Sequence, residues 1–380
     1  MKNKILKNYV KPNKVIIYKP NIPERFLFLI LPIYLLFVLY VLKNPVYRNI
    51  ILLYIAPCFI LFKVTFICLP KFIHFLNEKG LCGIDLNKSG KEYVAEPIGL
   101  FPSILYFIFV LFYQLIYYND HRIGFIDDIL DLKWRYKVIL PFFASLPLLL
   151  SYSGETHIRI PNFLIFIFKH RIINIGFLYY VYIILLSVFC TNAINIYAGI
   201  NGLEIGQSLI ISFFITIHNL IEITLNIGKS PIIENLILKQ HFLSIIFTIP
   251  FLTINLATFS FNFYPSKGFV GNTLTYFCGM FLAVVSIFGH FSKTLVLFLI
   301  PQFLNFFISL PQLFHIIPCP RHRLPIINYK TNKLMYSHNY TLINLILYLF
   351  GPLSEYHLVL ILLTFQFLTC SFGLFLRYYI

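Results

Sequence analysis

The densest acidic cluster in this 380-residue chain is Gly124-Phe125-Ile126-Asp127-Asp128-Ile129-Leu130-Asp131, followed by Lys133, Arg135 and Lys137, in a sequence with only 14 Asp and Glu. On a helix Asp127 and Asp131 share a face, with Asp128 about 100° away. Crowded carboxylates repel one another unless a cation sits between them, so the cluster is a candidate Mg2+ and phosphate site. A charged interfacial cap held by salt bridges is the simpler reading of the same residues. A second constellation is Thr191-Asn192-Ala193-Ile194-Asn195 followed by Gly199-Ile200-Asn201-Gly202-Leu203-Glu204. Asn192 and Asn195 are three apart on one helical face at the end of an apolar run. Asn in lipid commonly bonds helix to helix, but clustering beside a glycine-flanked Asn201 favours a polar site.

Two further segments suit anions. In Tyr264-Pro265-Ser266-Lys267-Gly268-Phe269-Val270-Gly271-Asn272-Thr273 a short loop opens a helix, whose first amides attract negative charge, and Phe269 can stack on a base. In Pro318-Cys319-Pro320-Arg321-His322-Arg323 two forked guanidiniums flank an imidazole after two rigid prolines. Arginine pairs suit a diphosphate; a positively charged cytoplasmic loop would account for the charge but not for so compact an arrangement.

These groups must be positioned by membrane-spanning helices. The chain is 59% hydrophobic and 12% charged, with a mean hydropathy of +0.80. Soluble domains run near ~25% charged. The composition excludes a cytosolic enzyme and a disordered chain, and predicts an all-α, polytopic transmembrane bundle. The net charge of +16 comes without a solvated basic stripe, so no nucleic-acid partner is expected; it fits positively charged loops against anionic headgroups. Cys58, Cys68, Cys190, Cys278 and Cys370 lie in apolar runs without paired spacing and read as small buried hydrophobes.

With ~20 apolar residues per crossing, about ten spans are expected, near 26–42, 50–70, 98–118, 138–152, 176–197, 205–226, 242–262, 274–289, 293–313 and 357–377. Residues 1–25 form a basic tail with seven Lys or Arg and one acid, Glu24. The apolar run after it ends in Lys43-Asn44-Pro45-Val46, with no small-residue cleavage pattern, so an uncleaved first helix is expected at the start of the membrane domain, 26–380. The chemically rich connections are 71–97, 119–137, 198–204, 263–273 and 314–356; 153–175, 227–241 and 290–292 are bland. From residue 119 onward rich and bland alternate, which places the rich loops on one side. Between Glu96 and Asp127 lie only 30 residues, where two crossings need ~40 and a turn. Counting therefore sets 71–97 opposite the other rich loops, unless a span is missing between Glu96 and Asp127 or this segment is re-entrant.

Five motifs carry a resemblance. Leu81-Cys82-Gly83-Ile84-Asp85-Leu86-Asn87-Lys88, Phe125 to Lys137, Cys190 to Glu204, Gly289-His290-Phe291-Ser292-Lys293-Thr294 and Ile316 to Arg323 resemble, in order, the eukaryotic UDP-GlcNAc–dolichyl-phosphate GlcNAc-phosphotransferases. These form a branch of the glycosyltransferase family 4-like polyprenyl-phosphate sugar-1-phosphate transferases. The likeness runs from about residue 50 onward. The arginine–histidine–arginine loop favours this branch over the bacterial phospho-MurNAc-pentapeptide translocases.

The resemblance implies a multi-pass endoplasmic reticulum enzyme with its site facing the cytosol. It would transfer GlcNAc-1-phosphate from UDP-GlcNAc to dolichyl phosphate and release UMP, the first step of N-glycan precursor assembly. By motif it implies contacts to the UDP-sugar from Leu86, Glu96, Asn192 and Asn201, a uracil stack on Phe269, and a diphosphate and sugar clamp of Arg321, His322 and Arg323. It also implies Lys137 for dolichyl phosphate, with Asp127 and Asp128 beside it, and Mg2+ as cofactor with Asn195 as one ligand. The family has aspartate as second ligand where this chain has Asn272. The expected partners are UDP-GlcNAc, dolichyl phosphate and the lipid bilayer; a homodimer is left open. Two readings compete: a non-catalytic membrane protein of the same fold acting as partner or regulator, and a transporter. The latter would set ionisable residues within the spans, where Glu222 stands nearly alone.

Overall fold

The computed structural model describes residues 18–24, 26, 40, 45–88, 92–117, 142, 145–146, 148–149, 152, 156–159, 172–227, 231–320 and 323–379. It is an all-α polytopic bundle with three short hairpins. The long helices are α1 (Pro45–Glu78), α2 (Leu100–Tyr117), α3 (Phe177–Ile196), α4 (Leu203–Asn226), α5 (Pro231–Asn262) and α6 (Gly271–Phe288). After them come α7 (Ser292–Phe298), α8 (Ile300–Leu313), the short α9 (Leu342–Phe350) and α10 (Glu355–Tyr379). Paired antiparallel strands are β1 (Cys82–Ile84) with β2 (Tyr93–Ala95), β3 (His157–Arg159) with β4 (Ile172–Asn174), and β5 (Ile326–Asn328) with β6 (Lys333–Met335). Among the described residues six helices are long and apolar enough to cross a membrane, or seven if the α7–α8 pair is one broken span. Of the spans expected at 26–42 and 138–152, only residues 26, 40, 142, 145–146, 148–149 and 152 are among the described residues.

One expected span is corrected. Residues 293–313 form not a single rod but α7 and α8, bent by 66°. Pro301 stands at the start of α8; lacking an N–H and clashing with the preceding turn, it suits a helix start and breaks the helix behind it. The break is held by a buried amide chain. Gln302 Nε2 donates to Gln207 Oε1 at 2.8 Å and to Gln366 Oε1 at 2.7 Å, tying α8 to α4 and α10. Gln366 in turn donates to Phe298 O at 2.8 Å, the last residue of α7. In an apolar interior each amide must find a partner, and here the partners are the neighbouring helices.

Elsewhere α4 packs on α5, α3 on α6, α1 on α5 and α10 on α4. The contact between α3 and α6 matters for the site. It is close because Gly279 has no side chain: a Cβ there would lie 2.6 Å from Thr191 Cα. Phe251 stacks on Phe281 at 3.9 Å between ring centres, joining α5 to α6 in the main core. Glu222, the acid within an apolar span, takes Arg377 Nη2 at 3.4 Å and the Tyr378 hydroxyl at 3.3 Å. It therefore serves an interhelical tie, near the end of α4 remote from Leu203. All seven cysteines are free; Cys58, Cys190, Cys278 and Cys370 are buried as expected, and Cys68 is half-buried.

Candidate functional site

One cavity of about 630 Å³ gathers residues from loops more than 200 positions apart. Its floor begins at the β1–β2 hairpin. Beyond β2 the chain pairs sideways with the segment entering α6: Phe269 N–H donates to Ala95 O at 2.8 Å, Ile98 N–H to Phe269 O at 2.9 Å, and Gly99 N–H to Val270 O at 3.1 Å. This three-stranded patch sets Glu96 and Phe269 side by side. Gly83 on β1 makes room for both, since a Cβ there would collide with the Glu96 carboxylate and lie 3.2 Å from the Phe269 ring. Leu86, Glu96, Phe269 and Asn272 all line the cavity. The loop 71–97 therefore lies with the rich loops 198–204, 263–273 and 314–356, and the counting that set it opposite them is overturned: backbone hydrogen bonds fix the hairpin to the 263–270 segment. The loop 119–137 lies outside the described residues.

The second wall is the turn between α3 and α4. Gly202 adopts a left-handed conformation, φ 89°, which favours glycine, and turns the chain so that Gly199 to Asn201 face the cavity at the start of α4. A buried polar knot holds this turn. Asp85, 1% exposed, accepts from Asn87 N at 3.0 Å and from Asn201 Nδ2 at 3.1 Å, and pairs with Lys88 Nζ at 3.2 Å. Glu355 Oε1 accepts from Asn201 N at 3.0 Å, and Asn87 Nδ2 donates to Gly199 O at 2.8 Å. Burial works against the charged form of Lys88, but the carboxylates of Asp85, Glu92 and Glu355 outweigh it and hold its pKa above the usual lysine value. Asn201 thus lines the cavity while its side-chain N–H is committed to Asp85.

The roof is the 314–341 loop, carried by one face of α8. Leu342 N donates to Asn305 Oδ1 at 2.9 Å, Ser309 Oγ to Tyr340 O at 2.9 Å, and Tyr340 N to Gln312 Oε1 at 2.9 Å. Gln312 also donates to Asn339 Oδ1 at 3.1 Å and to Pro318 O at 3.3 Å. Arg323 hangs from this loop into the cavity. Its Nη1 is buried with no hydrogen-bond partner among the described residues. Burial pulls its pKa down, yet a guanidinium remains charged near neutral pH. A buried, unpartnered cationic N–H in a cavity is a ready seat for an anion.

Asn195, at the end of α3, accepts from Thr275 Oγ1 at 3.2 Å and donates to the Tyr276 hydroxyl at 3.3 Å. Those two contacts orient its amide towards α6, where the exposed Asn272 lines the same cavity. Among the described residues no group of three or more His, Cys, Asp and Glu has metal-binding geometry. The donors around the cavity are nevertheless hard oxygens: the amides of Asn195 and Asn272 and the carboxylates of Glu96 and Glu204. Such a set suits Mg2+, which keeps several waters and takes its remaining ligands from few protein groups and a substrate diphosphate.

Of the residues expected from sequence, Leu86, Glu96, Asn195, Asn201, Phe269, Asn272 and Arg323 come together in this cavity. Asn192 does not line it; its Nδ2 donates to Val188 O at 2.8 Å within α3. One helical turn separates it from Asn195, and the turn above points elsewhere. Asp127, Asp128, Lys137, Arg321 and His322 lie outside the described residues. The roles of Asp85, Asn87 and Glu355 in holding Asn201 escaped the sequence reading, although Asp85 and Asn87 stand within a quoted motif. The α8 face of Asn305, Ser309 and Gln312 had a legible signal: polar residues spaced by four and three in an otherwise apolar helix.

Comparison with known proteins shows the family. Residues 99–290 match the model of glycosyl transferase family 4. The UDP-N-acetylglucosamine–dolichyl-phosphate N-acetylglucosaminephosphotransferase of Dictyostelium discoideum is 43% identical over an alignment of 352 positions, which covers 83% of this chain and 86% of the relative. The proteins of the same name from Schizosaccharomyces pombe and Saccharomyces cerevisiae are 32% and 33% identical, covering 89% and 80% of this chain and 93% and 86% of the relatives. With half of the chain matched and these relatives covered over most of their length, the chain belongs to glycosyl transferase family 4, in the branch of the UDP-N-acetylglucosamine–dolichyl-phosphate N-acetylglucosaminephosphotransferases.

Proposed function

We propose that the chain transfers GlcNAc-1-phosphate from UDP-GlcNAc to dolichyl phosphate, at a site facing the cytosol in the endoplasmic reticulum membrane. The supporting observation is the cavity itself, lined by a base-sized aromatic, Phe269, by Arg323, whose Nη1 is buried without a partner among the described residues, and by residues at the starts of two helices. A phosphate oxygen of dolichyl phosphate bonds to the β-phosphorus of UDP-GlcNAc. The bond from that phosphorus to the bridging oxygen breaks, and UMP leaves with the bridging oxygen. Both reactants are anionic, and dolichyl phosphate needs little help to deprotonate because the second ionisation of a phosphate monoester lies near ~6. Charge neutralisation and alignment are therefore the main work of the protein. Arg323 takes oxygens of the diphosphate, with Arg321 and His322 beside it in the same loop. The starts of α4 and α6 turn their free amides to the same charge, and Phe269 and Leu86 seat the uridine end. Lys137 holds the acceptor phosphate, and Asp127 and Asp128 orient it. Mg2+ held by Asn195 and Asn272 would supply further neutralisation of the diphosphate. In membranes containing the chain, UMP is expected in equal amount to the lipid product, and dependent on dolichyl phosphate.

Asn272 favours a second reading, a non-catalytic relative, because an amide ligand brings no negative charge. The two readings part in a Mg2+ titration of Asn272→Asp. A unit charge ~4 Å from a cation interacts by roughly 4 kcal/mol at an effective dielectric near ~20. Dehydration offsets much of that, so the Mg2+ concentration for half-maximal rate is expected to fall about tenfold. Overlapping curves from two active proteins would remove Asn272 from the metal site. Activity only in Asn272→Asp would establish the non-catalytic reading.

A further inference from the structure

The described part of the basic tail, residues 18–24, lies outside the segment matched by the family model. It runs across the ends of helices that carry the cavity. Asn21 makes three hydrogen bonds there: its main-chain N–H donates to Ser260 O at 2.8 Å, and its Nδ2 to Phe263 O at 2.7 Å and to Pro265 O at 2.8 Å. The last carbonyls of a helix have no partner within it. At the end of α5, Phe259 O is taken by Phe263 N–H and Phe261 O by Lys267 N–H, and Ser260 O is taken by Asn21. Asn21 thus caps α5 from another part of the chain and holds the first turn of the loop beyond it.

The segment is anchored on both sides of Asn21. The Tyr18 hydroxyl accepts from Asn77 Nδ2 at 2.6 Å, and Asn77 Oδ1 accepts from Cys82 Sγ at 3.1 Å, the first residue of β1. Ile22 packs with Phe62 and Ala257, and Glu24 pairs with Lys63. The two pieces it ties, the β1–β2 hairpin and the 263–270 loop, are those that pair to set Glu96 beside Phe269.

We propose that residues 18–24 are a strap across the cytosolic edge of the site, and that Asn21 is a positioning residue for the nucleotide end of the cavity. This rests on the nucleotide reading of Phe269 given above. Asn21 touches no substrate; it acts through the loop that delivers Phe269 and the start of α6.

The test uses the full-length protein with Asn21→Ala and Asn21→Asp. Aspartate keeps the shape but has no N–H to donate and sets a carboxylate against two carbonyls. Hydrogen exchange of peptides containing Lys267 and Phe269 is expected to quicken in both variants, since their amides bond to Phe261 O and Ala95 O within the held loop. The KM for UDP-GlcNAc is expected to rise about fivefold to tenfold, the lower end of the scale for the two lost Nδ2 hydrogen bonds, with kcat and the KM for dolichyl phosphate within about twofold. Unchanged exchange and unchanged KM in both variants would overturn the strap. So would an equal fall in every kinetic parameter together with the unfolding midpoint, which is what a merely structural role predicts. If the wild-type chain transfers nothing, the reaction assignment fails by itself, and the exchange rates still decide on Asn21.

Discussion

Replacing Arg323 by alanine is expected to lower kcat/KM by a hundredfold or more while leaving the protein inserted and folded. Loss of one preorganised, charge-assisted contact to a developing charge costs about 2–4 kcal/mol of transition-state stabilisation. The structure argues for the upper part of that range, because Arg323 Nη1 is buried and has no partner to lose among the described residues. Its removal deprives the substrate and not the fold. Arg323→Lys keeps the charge but loses the planar fork, so its activity should fall between the wild type and alanine. Near-normal turnover in Arg323→Ala would assign this loop to membrane topology alone.

Asp85→Ala is expected to cost about 3–5 kcal/mol of stability at this end of the molecule, the scale for removing one partner of a buried ion pair. It leaves Lys88, whose side chain is 15% exposed, with Glu92 at 3.5 Å in place of the closer Asp85, and withdraws the acceptor from Asn87 N and Asn201 Nδ2. Asp85 is bonded to Asn87, Lys88 and Asn201, so the signature is a lowered unfolding midpoint in detergent accompanied by loss of activity. Asp85→Asn, which keeps an acceptor oxygen but not the charge, should recover part of both. A midpoint equal to that of the wild type in Asp85→Ala would mean that the turn at Gly199 to Asn201 is held without Asp85, by Glu355, Asn87 and Glu204.

The helices carrying the site were legible in the sequence to within a few residues. The spans expected at 176–197, 205–226 and 357–377 correspond to α3, α4 and α10, because long apolar runs bounded by Gly, Asn or Glu leave little choice in a bilayer. The ends of α1 and α5 were less legible. Both helices outrun their apolar stretches, α1 into His74, Asn77 and Glu78 and α5 back to Pro231, where backbone bonding continues without a lipid-facing requirement. The β1–β2 hairpin and α9 fall in loops too short for a period to show. For the site, residue type and motif order brought Glu96, Asn201, Phe269 and Arg323 into view, but not their mutual arrangement. The contacts that build it, Asn201 to Asp85 and Asn201 to Glu355, join positions 116 and 154 apart. No local spacing rule reaches across such distances.

The central claim is that the bond broken lies between the two phosphates of the donor. UDP-GlcNAc carrying radioactive phosphorus only in the β position, incubated with dolichyl phosphate and membranes containing the chain, tests this directly. The label is expected to enter the organic-soluble lipid and to stay there, as the terminal phosphate of dolichyl diphosphate, when mild acid releases free GlcNAc, while unlabelled UMP accumulates in the aqueous phase. Label retained in aqueous UDP, with sugar alone on the lipid, would contradict the claim.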